Sequence, residues 1–262
     1  MSLSVFHVDA FTTTAFTGNP AAVCPLADWL DDGLLREVAA ENNLSETAYF
    51  VLRDNHYELR WFTPRCEVKL CGHATLASAF VLMQILAPGC EMVRFETRFS
   101  GSLMVRRDGA LLAMDLPALA PWLCAAPPAA LLEGLGEDPA VVMQIEDNYF
   151  AVYEREEDVR RIRPDLRLLE KLHPAGVAIT APGHESDFVS RYFAPSYGIP
   201  EDPVTGSTHC SLAPYWAKRF NKTSLHARQV SERGGELWCE TKGDRVILKG
   251  NAVLTLQGEL LI

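Results

Sequence analysis

Apolar positions along the chain follow two periods, and the switches between them outline the elements. Residues 4–12 alternate, with Phe6, Val8 and Ala10 on one side, the period of a half-buried strand. The turn signal Gly18-Asn19-Pro20 precedes a short apolar run, Ala21 to Cys24. From Asp31 the period lengthens: Leu34, Leu35, Val38 and Ala39 recur at helical spacing, and Asn42-Asn43 supply a stop. Asn-Leu-Ser-Glu-Thr-Ala, ending at Ala48, is a turn feeding a strand, and residues 57–63 form another strand, ended by Pro64. After a polar loop comes Cys71-Gly72-His73, then small and apolar residues without a polar face. That composition predicts a helix buried nearly all round, starting near Gly72. Residues 94–116 read as strands with a hairpin turn at Asp108-Gly109. The proline- and alanine-rich run 117–130 then marks a domain boundary.

The same order of elements follows in the second half. Residues 141–153 are strand-like with a break near Asp147-Asn148, and a helix over 157–172 is interrupted before Pro164. Strands over 176–180 and 187–193 lead into a long loop and a helix starting near Thr205-Gly206. Strands follow, with hairpin signals at Lys242-Gly243-Asp244 and Gly250-Asn251.

An internal repeat explains this recurrence. Tyr57-Glu58-Leu59-Arg60-Trp61-Phe62-Thr63-Pro64 matches Phe188-Val189-Ser190-Arg191-Tyr192-Phe193-Ala194-Pro195 as aromatic-x-x-Arg-aromatic-Phe-small-Pro. Each copy runs on to a glycine, Gly72 or Gly206, that opens a helix, and the second loop is three residues longer. Two copies are too few for a solenoid and imply pseudo-two-fold symmetry. The predicted domains are therefore residues 1–117 and 118–262, with the last strand free to pack with the first half. Twofold packing of the two copies would bring the two helix starts toward each other across a cleft, where a site is expected.

Composition narrows the function. At 262 residues and 48% hydrophobic, the chain is globular. A net charge of −10 without any basic cluster argues against nucleic acid or an anionic membrane as partner. It leaves room for a small anion, which a few donors at helix ends can hold. Neither a signal-peptide pattern nor a membrane-length apolar run is present, and seven scattered cysteines fit a reduced compartment; the expectation is a cytoplasmic protein.

Several residues carry chemistry. Glu46, just before an apolar strand, is either a turn carboxylate or a base whose pKa desolvation raises toward neutrality. Cys71 is either a small buried filler or a thiol tuned by a helix start. His73, in a helix's first turn, is expected to stay neutral and hydrogen-bonded. Asp202 and Ser207 are candidate loop-closing and capping residues. Cys66, Cys71, His73, His209 and Cys210 lack zinc-site spacing, so no metal site is expected. Thr205-Gly206-Ser207-Thr208-His209 is not a serine-hydrolase elbow, and there is no phosphate loop or dinucleotide fingerprint.

Phe-Thr-Gly-Asn-Pro-Ala-Ala-Val, Asn-Leu-Ser-Glu-Thr-Ala-Tyr-Phe, Arg-Trp-Phe-Thr-Pro, Leu-Cys-Gly-His-Ala-Thr-Leu-Ala, Glu-Asp-Pro-Val-Thr-Gly-Ser-Thr-His-Cys and Arg-Gln-Val-Ser-Glu-Arg-Gly-Gly-Glu-Leu occur in this order. Together they resemble the PhzF (phenazine biosynthesis-like) family, relatives of diaminopimelate epimerase. The resemblance covers nearly the whole chain. It implies an α+β fold of two pseudo-symmetric β-barrel-like halves, each wrapped around a central helix. It also implies no cofactor, a small carboxylate-bearing substrate, a homodimer, and proton-shifting isomerisation of the dihydro-hydroxyanthranilate type. Carried over by motif, Glu46 is the general acid/base, His73 and Asp202 position substrate and relay protons, and Ser207 with the Gly72 and Gly206 backbone binds a carboxylate. Two alternatives stay open: an amino-acid or hydroxy-acid racemase or epimerase, and a non-catalytic small-acid binder. Two-thiol racemases need a second cysteine where this chain aligns Thr205 with Cys71, which disfavours that mechanism.

Overall fold

A computed structural model describes residues 2–262. The chain divides into two compact units, Met1–Leu116 with Ile247–Ile262, and Pro117–Val246. No described helix is long and apolar enough to cross a membrane.

The first unit contains β1 (Ser2–Ala10), β2 (Asn19–Leu26), α1 (Asp32–Asn42), β3 (Glu46–Arg53), β4 (His56–Phe62), β5 (Glu67–Val68), α2 (Gly72–Val81), β6 (Met92–Thr97), β7 (Gly101–Asp108) and most of β8 (Leu111–Pro117). In the second lie β9 (Trp122–Leu123), α3 (Ala129–Leu135), β10 (Val141–Ile145), β11 (Asn148–Val152), α4 (Glu156–Arg161), α5 (Leu166–Leu169), β12 (Gly176–Pro182), β13 (Phe188–Ala194), β14 (Ile199–Asp202), α6 (Gly206–Phe220), β15 (Ser224–Gln229) and β16 (Gly235–Lys242). β17 (Arg245–Gly250) follows, and β18 (Ala252–Leu261) returns to the first unit and pairs antiparallel with β1.

The repeat seen in sequence is a repeat of strand ladders. In the first unit β2 is parallel to β3, β3 antiparallel to β4, β4 parallel to β6 and β6 antiparallel to β7. In the second, β11–β12, β12–β13, β13–β15 and β15–β16 pair in the same four senses. The shared arginine has the same task in both copies. Arg60 forks onto Glu67 with bonds of 2.7 and 2.8 Å, and its guanidinium lies 5.0 Å from the Phe62 ring centre. Arg191 forks onto Glu201 at 2.7 and 2.9 Å and lies 4.9 Å from Phe193. Each planar fork clamps the short strand that precedes a helix start, which a lysine could not do with one point charge.

Burial follows the alternation of side chains along strands. β3 is buried at six successive positions, so both its faces are covered. On one face Ala22, Cys24, Tyr49 and Val51 join Leu35, Val38 and Ala39 of α1 in a single core cluster. Asp31 caps α1 by accepting from the Gly33 amide, and Tyr49 donates to the Leu35 carbonyl at 2.8 Å. On the other face lies α2, whose residues His73 to Ala79 and Val81 are all buried. Its small residues permit that close surround. Its buried hydroxyls are satisfied within the helix, Thr75 donating to the Cys71 carbonyl at 2.6 Å and Ser78 to that of Ala74 at 2.7 Å. In the second unit, α3, α4 and α5 contribute Leu131, Val159 and Leu169 to a cluster with Val177, Ile179 and Phe193 of the sheet.

Three local outcomes differ from the sequence reading. α3 falls in and just after the run read only as a boundary, starting after Pro128 and stopping at left-handed Gly136, both ordinary helix signals. The helix expected over 157–172 is two α-helices and a final 3-10 turn, α4 ending at Arg161 ahead of Pro164. β1 is buried at Val5 and Asp9 as well as on its alternating face.

Candidate active site

Parallel pairing sets out the first half of the site. β2 and β3 run side by side with Ala21 opposite Glu46, so Asn19 and Glu46 stand at the same end of the sheet. Gly18 makes the turn into β2 possible. Its φ is +70°, and a Cβ there would lie 2.3 Å from the Ala10 carbonyl oxygen. The first turn of α2 meets this end of the sheet, and three side chains converge. His73 Nε2 lies 3.2 Å from Glu46 Oε2, Asn19 Nδ2 lies 3.1 Å from His73 Nδ1, and Cys71 Sγ lies 3.5 Å from the same Nδ1.

All four residues are buried, with Glu46 8% exposed and His73 4%. Burial pushes the His73 pKa down to about 3, so the ring is neutral near pH 7. The 3.2 Å contact with Glu46 is therefore made by a neutral imidazole nitrogen and is not an ion pair. Asn19 donates through Nδ2 to Nδ1, which leaves the ring proton on Nε2, the nitrogen nearer Glu46. One ligand atom each from Glu46, Cys71 and His73 lie within 4.8 Å of one another.

The second unit builds a different arrangement around the helix start of α6. Asp202 ends β14 opposite Tyr192 and is buried. The Thr205 hydroxyl donates to Asp202 Oδ2. Gln229, the last residue of β15 and 1% exposed, fastens this loop on two sides. Its Oε1 accepts from the Thr205 amide at 2.9 Å, and its Nε2 donates to the Asp202 carbonyl at 2.7 Å. Ser207, in the first turn, is exposed.

The two helix starts are equivalent in register. Glu67 and Glu201 each precede the opening glycine by five residues, which puts Cys71 beside Thr205 and His73 beside Ser207 in the repeat. Neither Cys71 nor Thr205 caps its helix through its side chain, and both have extended backbones. The repeat fails at Glu46. Tyr49 lies opposite Arg60 and Ile179 opposite Arg191, so the counterpart of Glu46 is Gly176. A Cβ at Gly176 would lie 2.0 Å from the Tyr192 hydroxyl, which donates to Asn148 Oδ1 at 2.8 Å. The second copy has a phenol packed against bare backbone where the first has a carboxylate.

The sequence reading named Glu46, Gly72, His73, Asp202, Gly206 and Ser207. Of these, the structure brings Glu46 and His73 into contact in the first unit, with Gly72 beside His73. Asp202 and Ser207 flank Thr205-Gly206 in the second. Asn19 and Gln229 were not singled out, although the signals existed in Gly-Asn-Pro and in Arg-Gln-Val-Ser. His209 and Cys210, conspicuous in sequence, are buried within α6, and burial pushes the Cys210 thiol up to about 12.

A family model for phenazine biosynthesis-like proteins, PhzC-PhzF, matches residues 8–258. The chain belongs to the PhzF family. It is 53% identical over 260 residues to a protein of Pseudomonas aeruginosa described as an uncharacterized isomerase, covering 99% of each chain. A PhzF-family crystal structure from Enterococcus faecalis superposes with a TM-score of 0.95 at 44% identity, over 100% of both chains. At fold level alone, a hydroxyproline epimerase from Agrobacterium vitis matches with a TM-score of 0.63 at 10% identity, covering 99% of this chain and 92% of that one. The fold of this PhzF protein is thus the diaminopimelate epimerase-like one, with α2 and α6 as the helices its sheets enclose.

Proposed function

We propose that this PhzF protein is a cofactor-independent isomerase that shifts a proton on a small carboxylate-bearing substrate. Glu46 takes a proton from one carbon and returns it to another on the same face. A single base serves both steps because the proton stays on it between them. The observation that carries this reading is the Asn19–His73–Glu46 cluster, which sets a neutral imidazole nitrogen 3.2 Å from one buried carboxylate. In this role His73 holds Glu46 in place and steadies the charged form that stands before the proton is taken and after it is returned. Asp202, Ser207 and the backbone of Gly72 and Gly206 are assigned to holding the substrate carboxylate and relaying protons. Their support is their place at two repeat-equivalent helix starts, where amide N–H groups favour anions.

A two-thiol racemase is the weaker reading. The place equivalent to Cys71 is Thr205, whose hydroxyl is given to Asp202. An alcohol with a pKa far above that of a thiol is a poor carbon acid's partner at neutral pH. The Pseudomonas relative's description as an isomerase fits either reading, since racemases and epimerases are isomerases too.

Glu46→Gln tests the proposal in heavy water. The variant should bind a substrate-like carboxylate with unchanged affinity yet lose isomerisation and solvent-proton exchange together. Turnover at the wild-type rate in that variant would refute the role.

A further inference from the structure

We propose that Glu46, Cys71 and His73 form a reversible zinc-binding site in the first unit, so that zinc and the migrating proton compete for the same carboxylate. The geometry is that of a half-built coordination sphere. Zinc takes thiolate at about 2.3 Å, imidazole at about 2.0–2.1 Å and carboxylate oxygen at about 2.0–2.2 Å, which in a tetrahedron separates ligand atoms by roughly 3.3–3.6 Å. Here the nitrogen-to-oxygen edge is 3.2 Å, and the sulfur lies 3.9 Å from the same Nε2. All three ligand atoms fall within 4.8 Å of one another, and a rotation of the Cys71 side chain that carries its sulfur from Nδ1, 3.5 Å away, to the Nε2 side completes the set.

The charges balance as well. Zinc binding displaces the Cys71 thiol proton to solvent, and one thiolate plus one carboxylate neutralise a divalent ion inside a buried pocket. The neutral ring supplies its Nε2 lone pair once the ring proton moves to Nδ1. Asn19 accommodates that change by rotating its amide, so that Oδ1 accepts where Nδ2 now donates. The fourth position remains for water or an anion. Sequence spacing concealed the site because Glu46 comes from β3, 25 residues before Cys71.

Binding itself does not depend on the isomerase reading; the loss of turnover that zinc would cause does. Cobalt is the probe, since tetrahedral cobalt–thiolate centres absorb in the near ultraviolet and visible independently of activity. Titration of the reduced, metal-free protein with cobalt should give a one-to-one charge-transfer band that zinc then bleaches. Cys71→Ser should abolish the band, and Glu46→Gln should weaken cobalt binding at least about tenfold. Cys66→Ser, which removes an exposed thiol outside the cluster, should leave both unchanged. The proposal is overturned if the wild type gives no band. It is equally overturned if the band keeps its intensity and affinity in Cys71→Ser or Glu46→Gln, or disappears in Cys66→Ser. Circular dichroism of each variant at the titration temperature confirms that a lost band reflects a lost ligand and not an unfolded chain.

Discussion

Acidification from pH 7 to pH 5 should destabilise the protein through His209, and the amount can be worked from its surroundings. The ring is fully buried in α6, tilted against Phe188, with Nδ1 donating to the Thr205 carbonyl at 2.8 Å. Among the described residues Nε2 has no hydrogen-bond partner. Burial pushes its pKa down to about 4, although the Thr205 carbonyl pulls the other way. An unfolded histidine titrates near 6.5, so between these two values the unfolded chain binds the extra proton and stability rises with pH. The contribution is whole above about pH 6.5 and fades as pH falls toward 4. Across the window from pH 7 to pH 5 it amounts to about 2 kcal/mol for this one residue. His209→Asn keeps a donor for the Thr205 carbonyl but cannot titrate. Urea unfolding of both proteins at several pH values isolates the effect, because the other groups titrate alike in each. The variant should start less stable at pH 7, having lost ring packing, and its stability should fall by about 2 kcal/mol less on the way to pH 5. Parallel stability–pH curves would refute the reasoning, since His209 would then carry the same charge in both states.

Further expectations follow from the two halves. Arg191→Met removes the partner of Glu201 and donors to the carbonyls of Val159 and Ile162, and should cost about 3–5 kcal/mol in a urea melt. Arg53→Met, which breaks more exposed pairs with Asp28 and Glu58, should stay within about 1 kcal/mol. Gly176→Ala should cost about 1–3 kcal/mol because Tyr192 must give up its place against the backbone, and the thermal midpoint reads this directly. Asn19→Asp replaces a donor with an acceptor, so nitrogen NMR of His73 should move from the Nε2–H to the Nδ1–H tautomer; an unchanged spectrum would contradict the assigned chain.

How much of this was legible depended on range. Period and turn chemistry located α2 and most strands, because a helix without a polar face and runs bounded by proline or glycine are local signals. The octapeptide repeat was readable for the same reason, and the structure gives its arginine a cause: the fork onto Glu67 in one copy and Glu201 in the other. Glu46 and His73 stood out as separate residues. Their 3.2 Å contact could not be read, since it depends on β2–β3 register and on where α2 crosses the sheet. Gln229 reaches the α6 start from 24 residues beyond Thr205, a distance over which no periodic pattern speaks. α3 was passed over because proline and alanine suggested a linker, although Pro128 and Gly136 punctuate its ends.

The return of β18 to β1 imposes an order on biosynthesis. β1 is made before the other described strands, yet one of its neighbours, β18, is made after all of them. At cellular rates of about 5–20 residues per second, β1 waits roughly 10–50 s with one edge open. All of Pro117–Val246 is synthesised within that interval, so the second unit has its complete sequence before the first has its own. An open strand edge is a template for pairing with other chains. Ribosomes stalled before Ala252 would therefore display a nascent first unit with an adhesive border along β1.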